Sequence, residues 1–342
     1  MFYSKLTFRR RLGLRFNTSP RLSVTMAVLC VTYLLTPILS TPTVGQDKPA
    51  KRKPHAPPDP KRIELRTKDQ VLLTGTYFAG TKGENTVPII LIHGWEGVGG
   101  EFNRLAKFLQ SLGHAVVMPD LRGHGESVQR RTADGETVSI DPKRMRVDEI
   151  AGMYLYDIER VKKYLLTEHN DGKLNIELLT IVGVEMGAIV AANWAKRDWS
   201  WPILPSLKQG QDVKALVLVS PKQAFKGLKL QRAYQHEAVR KLSTLILVGA
   251  DDRRAHSEAK RLHTKLKRFH ASGSRNTKSE SLPRTLFLVE FPTSLQGTNL
   301  IDAPVSDNKL GPHQWIRAFI QHRVVSQQEI YAWEERGNPI GG

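Results

Sequence analysis

The chain has 342 residues, enough for one large domain or two ordinary ones. Apolar residues make up 40% and charged residues 25% of it, close to the average of soluble globular proteins, which excludes wholesale disorder and collagen-like repeats. The formal net charge of +18 is unevenly divided, since residues 1–62 carry +10 and the rest of the chain carries only +8. The body is therefore mildly basic, and we predict no nucleic-acid partner for it.

The N-terminus is typical of a targeting segment. Six basic residues precede an uncharged apolar stretch, residues 22–39, and small residues follow that stretch. This order is the plan of a secretory signal. We predict that residues 1–45 are a signal peptide, with cleavage after Gly45, or an N-terminal membrane anchor formed by residues 22–39, which are near the minimum length for a span. Either way, the body is exported to the periplasm or the extracellular space.

Residues 46–62 predict an extended linker, because they contain five prolines and six Lys/Arg. The basic run also makes residues 1–62 a candidate for contact with an acidic membrane surface. The only cysteine, Cys30, lies in the apolar stretch, so the body has neither a disulfide framework nor a cysteine nucleophile.

The body, residues 63–342, alternates strands with helices. We predict a β-hairpin over 63–78 and buried strands over 87–93, 114–120, 178–184, 213–220, 244–249 and 285–291. Apolar residues at helical spacing predict helices over 101–112, 148–166, 187–196, 254–269 and 312–324. The mostly polar segment between 220 and 244 is also predicted to be helical, and residues 198–212 to be a loop that acts as a small lid. This alternation predicts a mostly parallel central sheet with helices on both faces and no large cap domain.

Two loops that follow predicted strands carry motifs. Residues 93–97 (HGWEG) follow the third strand, and residues 120–127 (DLRGHGES) follow the fourth. In this order they resemble the α/β-hydrolase family, and within it the lysophospholipase-like and serine-aminopeptidase-like branch. The resemblance spans residues 63–324 and implies an α/β-hydrolase fold. It also implies that Trp95 supplies one backbone N–H of an oxyanion hole, which stabilises charge developing on a carbonyl oxygen.

Residues 183–187 (GVEMG) join a predicted strand to a helix, where the family has its nucleophile elbow, G-x-S-x-G. Gly183 and Gly187 keep the glycines that such a turn requires, and Met186 would supply the second oxyanion N–H. The central residue is Glu185 instead of serine. Three roles are open for its carboxylate: capping the following helix, contacting a polar ligand, or acting as nucleophile or general base.

Of the other two triad positions, one has the residue type of the family and the other does not. Asp252 stands where the family has its triad carboxylate, with Asp251 as the alternative. Residues 292–298 (PTSLQGT) resemble the loop that ends in His-Gly-Thr, with Gln296 in place of the histidine. An amide cannot accept a proton near neutral pH, but its NH₂ group could donate to Asp252. His313 is the nearest substitute base along the chain, although a surface or capping role suits it better.

A serine hydrolase that loses its triad keeps only a residual enhancement of about 10³–10⁴ over water. We therefore predict a catalytically silent relative of esterases and lysophospholipases, with a pocket for a small apolar or acyl-containing ligand. Trp95, Trp199 and Trp201 are candidates for an apolar entrance to it.

Two alternatives remain. The first is an active carboxylic-ester hydrolase in which Glu185 is the general base and Trp95 and Met186 form the oxyanion hole. The second is a binder of membrane surfaces or polyanions that acts through the basic N-terminal segment. No motif for a metal or another cofactor stands out, so we predict neither.

Overall fold

The computed structural model describes residues 56–202, 204, 207–270, 284–304 and 310–337. The predicted signal or anchor segment, residues 1–45, and residues 46–55 of the predicted linker lie outside these ranges. None of the helices within the ranges combines the length and the hydropathy that a membrane span needs.

Eight main strands form the central sheet: β1 Lys61–Arg66, β2 Val71–Phe78, β3 Pro88–Ile92, β4 Ala115–Pro119, β5 Leu179–Val184, β6 Val213–Val219, β7 Ser243–Gly249 and β8 Leu286–Phe291. Their order across the sheet is β1-β2-β4-β3-β5-β6-β7-β8. The strands β1 and β2 form the predicted antiparallel hairpin, β2 and β4 are also antiparallel, and every later pair is parallel. The mostly parallel sheet predicted from the sequence is thus confirmed. Two short strands, Gln129–Arg131 and Thr137–Ser139, extend the sheet beside β2.

Helices cover both faces of the sheet, as predicted. Their bounds are α1 Asn103–Ser111, α2 Val147–Gly152, α3 Ile158–Asn170, α4 Met186–Trp199, α5 Arg253–Lys267, α6 Gly297–Ile301 and α7 Pro312–Arg323. Apolar side chains of α1 and α7 share one buried cluster, and those of α2 to α5 share the other. The π-helical turn Met153–Asp157 joins α2 to α3, so the two form the single long helix expected from its apolar face.

The five central strands, β3 to β7, are buried along their whole length. This explains why they appear in the sequence as nearly continuous apolar runs, since each strand is covered on both faces. The carboxyl ends of β3, β5, β6, β7 and β8 meet at one edge of the sheet, because these strands are parallel. In open α/β sheets this edge is where ligands bind.

The segment between β6 and β7 is not the helix that we predicted. It forms a small hairpin from Ala224–Phe225 and Leu228–Lys229, followed by two 3₁₀-helices, Leu230–Gln235 and Val239–Lys241. At the hairpin turn Lys226 and Gly227 have φ angles of 40° and 85°. Two consecutive positive φ angles form a tight hairpin turn and cannot continue a right-handed helix.

The predicted lid over residues 198–212 is also wrong. Trp199 Nε1 donates a hydrogen bond to the carbonyl of Val213, the first residue of β6, at 2.9 Å. Glu185, by contrast, donates its N–H to Val219, the last residue of the same strand. The helix α4 carries the chain from one edge of the sheet to the other, about 20 Å away at 1.5 Å per residue. Trp199 and Trp201 therefore do not line an entrance to the elbow.

Side chains of residues 120–127 form hydrogen bonds and ion pairs with neighbouring segments of the fold. Asp120 accepts the N–H of Gly99 at 2.7 Å, and Ser127 Oγ donates to the carbonyl of Asp120 at 2.7 Å. The guanidinium of Arg122 is buried and pairs with Asp157 and Asp69, at 2.6 Å each. The side chains of this motif thus fix the loop after β4 against the long helix and against Gly99, which follows residues 93–97, here called the oxyanion turn.

Candidate active site

Glu185 occupies a strained turn between β5 and α4, with φ 50° and ψ −107°. Its neighbouring glycines are packed against backbone. A Cβ atom on Gly183 would lie 2.5 Å from the carbonyl oxygen of Gly187, and one on Gly187 would lie 2.5 Å from that of Ile92. Neither contact can be relieved by a side-chain rotation. The chain therefore builds the strained, closely packed strand-to-helix turn that the motif predicts, with Glu185 at its centre.

The carboxylate of Glu185 points into a cleft and not back onto α4. It makes no capping hydrogen bond to that helix, so the capping role is wrong. One oxygen, Oε2, lies 3.1 Å from Lys222 Nζ. Cβ atoms added to Gly94 and Gly297 would lie 3.3 Å from Oε2 and 3.5 Å from Oε1. The carboxylate thus fills the space between the oxyanion turn and the loop that carries Gln296.

Two backbone N–H groups that have no acceptor among the described residues lie at the positions that the resemblance assigns to an oxyanion hole. Met186 is the first residue of α4, so its N–H has no acceptor within the helix. Within the described part of the chain, no hydrogen bond involves the N–H of Trp95. The indole of Trp95 packs at 5.1 Å from the ring of Phe225, and Lys226 Nζ lies 4.2 Å from its centre.

Gln296 lines the same cleft, but both ends of its amide form hydrogen bonds with residues other than Glu185 and Asp252. Its Nε2 donates to the carbonyl of Gly249 at 2.8 Å, and its Oε1 accepts from Ser220 Oγ at 2.7 Å. Ser220 Oγ in turn accepts the N–H of Gly297 at 3.0 Å. The predicted hydrogen bond between Gln296 and Asp252 is therefore wrong, because the amide instead joins the ends of β6 and β7 to the start of α6.

Asp252 serves as the cap of α5. Its side chain accepts the N–H groups of Arg254 at 2.9 Å and Ala255 at 3.0 Å, which satisfies two donors of the first helical turn. It is not among the residues that line the cleft. Of the three triad-equivalent residues, the structure thus brings Glu185 and Gln296 together and leaves Asp252 outside.

The histidines nearest the site are engaged in structural contacts. In His93 the ring Nδ1 lies 2.7 Å from the carbonyl of Gly94, and Nε2 accepts the N–H of Leu121 at 3.0 Å. Burial lowers the pKa of His93 to about 4, so the ring is neutral at pH 7. His313 contacts Asp302 at 3.2 Å and does not line the cleft, and burial lowers its pKa as well.

The cleft has a volume of about 180 Å³, which is small beside the 300–1,000 Å³ of ordinary ligand pockets. Its lining is mostly glycine, carboxylate and amide: Gly94, Trp95, Glu96, Gly97, Glu101, Val184, Glu185, Gln296, Gly297, Thr298 and Asn299. The described ranges hold no group of three side chains placed to bind a metal ion.

A family model described as the alpha/beta hydrolase fold matches residues 87–295. The chain belongs to the α/β-hydrolase fold family. Its fold is similar to that of an esterase from Pyrococcus furiosus, with 15% identity and a TM-score of 0.53 over 78% of this chain and 91% of that one. A hyperthermophilic esterase from the archaeon Pyrobaculum calidifontis is similar too, with 14% identity and a TM-score of 0.52 over 79% and 86%. No curated protein sequence matches the chain.

Two residues that belong to the site of this hydrolase-fold protein were not predicted from the sequence. Lys222 pairs with Glu185, and Ser220, with φ 48°, holds Gln296. Both follow β6 directly, so the edge of the sheet at which β6 ends could have indicated them. A third contact, from Thr298 Oγ1 to Glu101 at 2.9 Å, closes the far side of the cleft.

The strain at Glu185 can be measured by comparing two substitutions. Both Glu185→Gly and Glu185→Ala remove the contact with Lys222, but only glycine adopts a φ of 50° at little cost. We expect the glycine variant to be more stable than the alanine variant by about 1 kcal/mol, because relief of strain exceeds the entropy cost of glycine. Urea unfolding measures the difference, and an alanine variant as stable as the glycine variant would contradict the strained turn.

Proposed function

We propose that the protein is a non-hydrolytic member of the α/β-hydrolase family, whose cleft holds a small polar group and does not turn over esters. The observation that carries the proposal is the contact between Glu185 and Lys222, at 3.1 Å, in the position of the nucleophile. The contact stabilises the carboxylate as an anion and so opposes its use as a nucleophile or a base.

The loop opposite Glu185 supports the same conclusion. A hydrolytic triad needs a base that takes a proton from the nucleophile and returns it to the leaving group. Gln296 cannot do this chemically, and its amide is held by Gly249 and Ser220. Among the residues that line the cleft there is no imidazole.

A second candidate is a carboxylic-ester hydrolase in which Glu185 activates a water molecule. The conformation of the elbow favours this candidate, because strained backbone such as that of Glu185 clusters at active sites. The N–H groups of Trp95 and Met186 would then hold the oxyanion. This candidate requires that Oε1, the oxygen of Glu185 that is not paired with Lys222, activates a water molecule within the cleft.

Hydrolysis of p-nitrophenyl acetate and p-nitrophenyl butyrate separates the two candidates. We expect the purified protein to release p-nitrophenol no faster than the buffer, and the Glu185→Gln variant to behave identically. The matched control is Glu101→Gln, which removes another carboxylate from the same cleft. Turnover that Glu185→Gln abolishes and Glu101→Gln retains would overturn the proposal and establish the second candidate.

A further inference from the structure

The helix α5 carries a concentration of positive charge that the fold does not explain. Its apolar residues, Ala259, Leu262 and Leu266, are buried against the sheet. The exposed side holds seven cationic side chains within sixteen residues, which we call the basic face: Arg253, Arg254, Lys260, Arg261, Lys265, Lys267 and Arg268. At 100° per residue they fall on one continuous arc of roughly 160°, opposite the buried residues.

Few acidic groups oppose this charge in the described ranges. Glu258 lies 3.5 Å from Arg254, and Glu290 of β8 lies 3.5 Å from Lys260. The remaining cations of the basic face form no ion pair there, and the exposed Arg284 at the start of β8 adds another positive charge beside the helix. Burial lowers the pKa of His263, and the charges of Arg284 and Lys267 lower it further, as expected beside a positive surface.

The helix dipole explains only part of this arrangement, because it favours Lys265 and Lys267 in the last turn but not the cations of the first turn. Arg253 and Arg254 lie in the first helical turn, where the helix dipole favours acidic residues. Arg261 and Lys265 are four residues apart, a spacing at which like charges repel. A helix face that carries charge of one sign with few ion pairs is typical of a surface that binds an anionic partner.

We propose that the basic face docks onto the surface of a bilayer that contains acidic phospholipids. Lys and Arg side chains are attracted to such surfaces without specific contacts, and the attraction adds up over a cluster. The alternative of a nucleic acid is less well supported, since single-strand binders interleave stacking aromatic side chains and the exposed arc of α5 has none.

In the form of the protein that retains the predicted membrane anchor, residues 22–39, the body is tethered to a bilayer. The apolar stretch 22–39 is joined to β1 by residues 40–60, which can span up to about 65 Å at 3.1 Å per residue. The helix α5 packs against β7 and β8, at the opposite side of the sheet from β1, about 30 Å away at the usual strand spacing. Residues 40–60 are thus long enough to let the basic face reach the bilayer.

The experiment uses the full chain with a reporter on α5, so that any membrane binding by the N-terminal segment does not obscure the result. Thr264, which is exposed among the basic residues, is changed to cysteine and labelled with an environment-sensitive dye in a Cys30→Ser background. We expect the dye to respond to vesicles of phosphatidylcholine mixed with phosphatidylglycerol and not to phosphatidylcholine alone. The response should disappear at about 1 M salt, because the Debye length there is only about 3 Å and the attraction between charges is screened.

Two triple variants decide whether the basic face is responsible. Arg261→Gln, Lys265→Gln and Lys267→Gln together should weaken the dye response on the order of 100-fold in lipid concentration. The matched control is Lys68→Gln, Lys107→Gln and Lys143→Gln, which removes the same charge from exposed positions elsewhere and should leave the response unchanged. Three outcomes would each overturn the proposal. The two triple variants could respond equally, the dye could respond equally to neutral vesicles, or the dye-bearing face could bind double-stranded DNA or heparin more tightly than acidic vesicles.

Discussion

Replacing Lys162 with methionine is expected to lower the free energy of unfolding by about 3–5 kcal/mol. The ammonium of Lys162 is buried between two carboxylates, 2.8 Å from Asp198 and 2.7 Å from Asp212. Both carboxylates are at most 1% exposed, so removing the cation leaves negative charge in the interior. Burial alone would lower the pKa of Lys162, but the two carboxylates more than offset it and raise that pKa, so the cation is fully present at neutral pH.

The neighbouring Lys163 provides the matched control. It lies on the same helix but is exposed, and Lys163→Met should change stability by no more than about 0.5 kcal/mol. A second control neutralises the stranded charge: Lys162→Met combined with Asp198→Asn should recover part of the loss. Asparagine would keep an acceptor for the N–H groups of Asp212 and Val213, which Asp198 binds at 2.7 Å and 3.0 Å. Urea unfolding of the four proteins measures these effects.

The loss caused by Lys162→Met should also depend on pH. Burial raises the pKa of Asp198, and in the wild type Lys162 opposes this shift. Without the lysine, the folded-state pKa of this carboxyl rises further above its unfolded value near 4. A carboxyl whose pKa is raised on folding destabilises the fold increasingly as pH rises through that pKa. The deficit of the variant should therefore be smaller at pH 5 than at pH 8, and a deficit that grows on acidification would contradict this account.

The ion-pair cluster around Lys162 could not be predicted from the sequence. Lys162 lies on α3, Asp198 near the end of α4 and Asp212 before β6. The apolar spacing of α3 predicts the helix correctly, but it gives no sign that one lysine within it is buried. Only the topology brings the three segments together. The two end residues of the segment predicted to be a lid, Asp198 and Asp212, instead join a buried cluster at the edge opposite the elbow.

The features of the site that the backbone sets were predicted best from the sequence. The glycines of the elbow, the position of Glu185 and the loop of Gln296 follow from motifs at strand ends, because a parallel sheet brings those ends together. The side-chain partners were predicted less well. Gln296 binds Gly249 and Ser220, and Asp252 caps α5, because each group takes the donor or acceptor that the local turn already presents. A triad pairing depends on a histidine to compete with these local partners, and this chain has none in that loop.

Replacing Gly187 with alanine is expected to destabilise the protein by about 3 kcal/mol, since overpacking a closed interior commonly costs 1–3 kcal/mol and backbone contacts cannot yield. The added methyl would lie 2.5 Å from the carbonyl oxygen of Ile92 and closer still to that of His93. These carbonyls belong to the end of β3 and the oxyanion turn, so relief would require the elbow and that turn to separate.

The control for Gly187→Ala is Gly100→Ala. Gly100 is exposed, and a Cβ atom there would meet only Asn103 Nδ2 at 3.7 Å, an ordinary contact. We expect this variant to change the free energy of unfolding by less than about 0.5 kcal/mol. If Gly187→Ala were equally harmless, the elbow would not be packed against the oxyanion turn as described. If it is costly, the packing of the elbow stabilises this protein independently of any reaction there, which explains how the turn can persist around a glutamate.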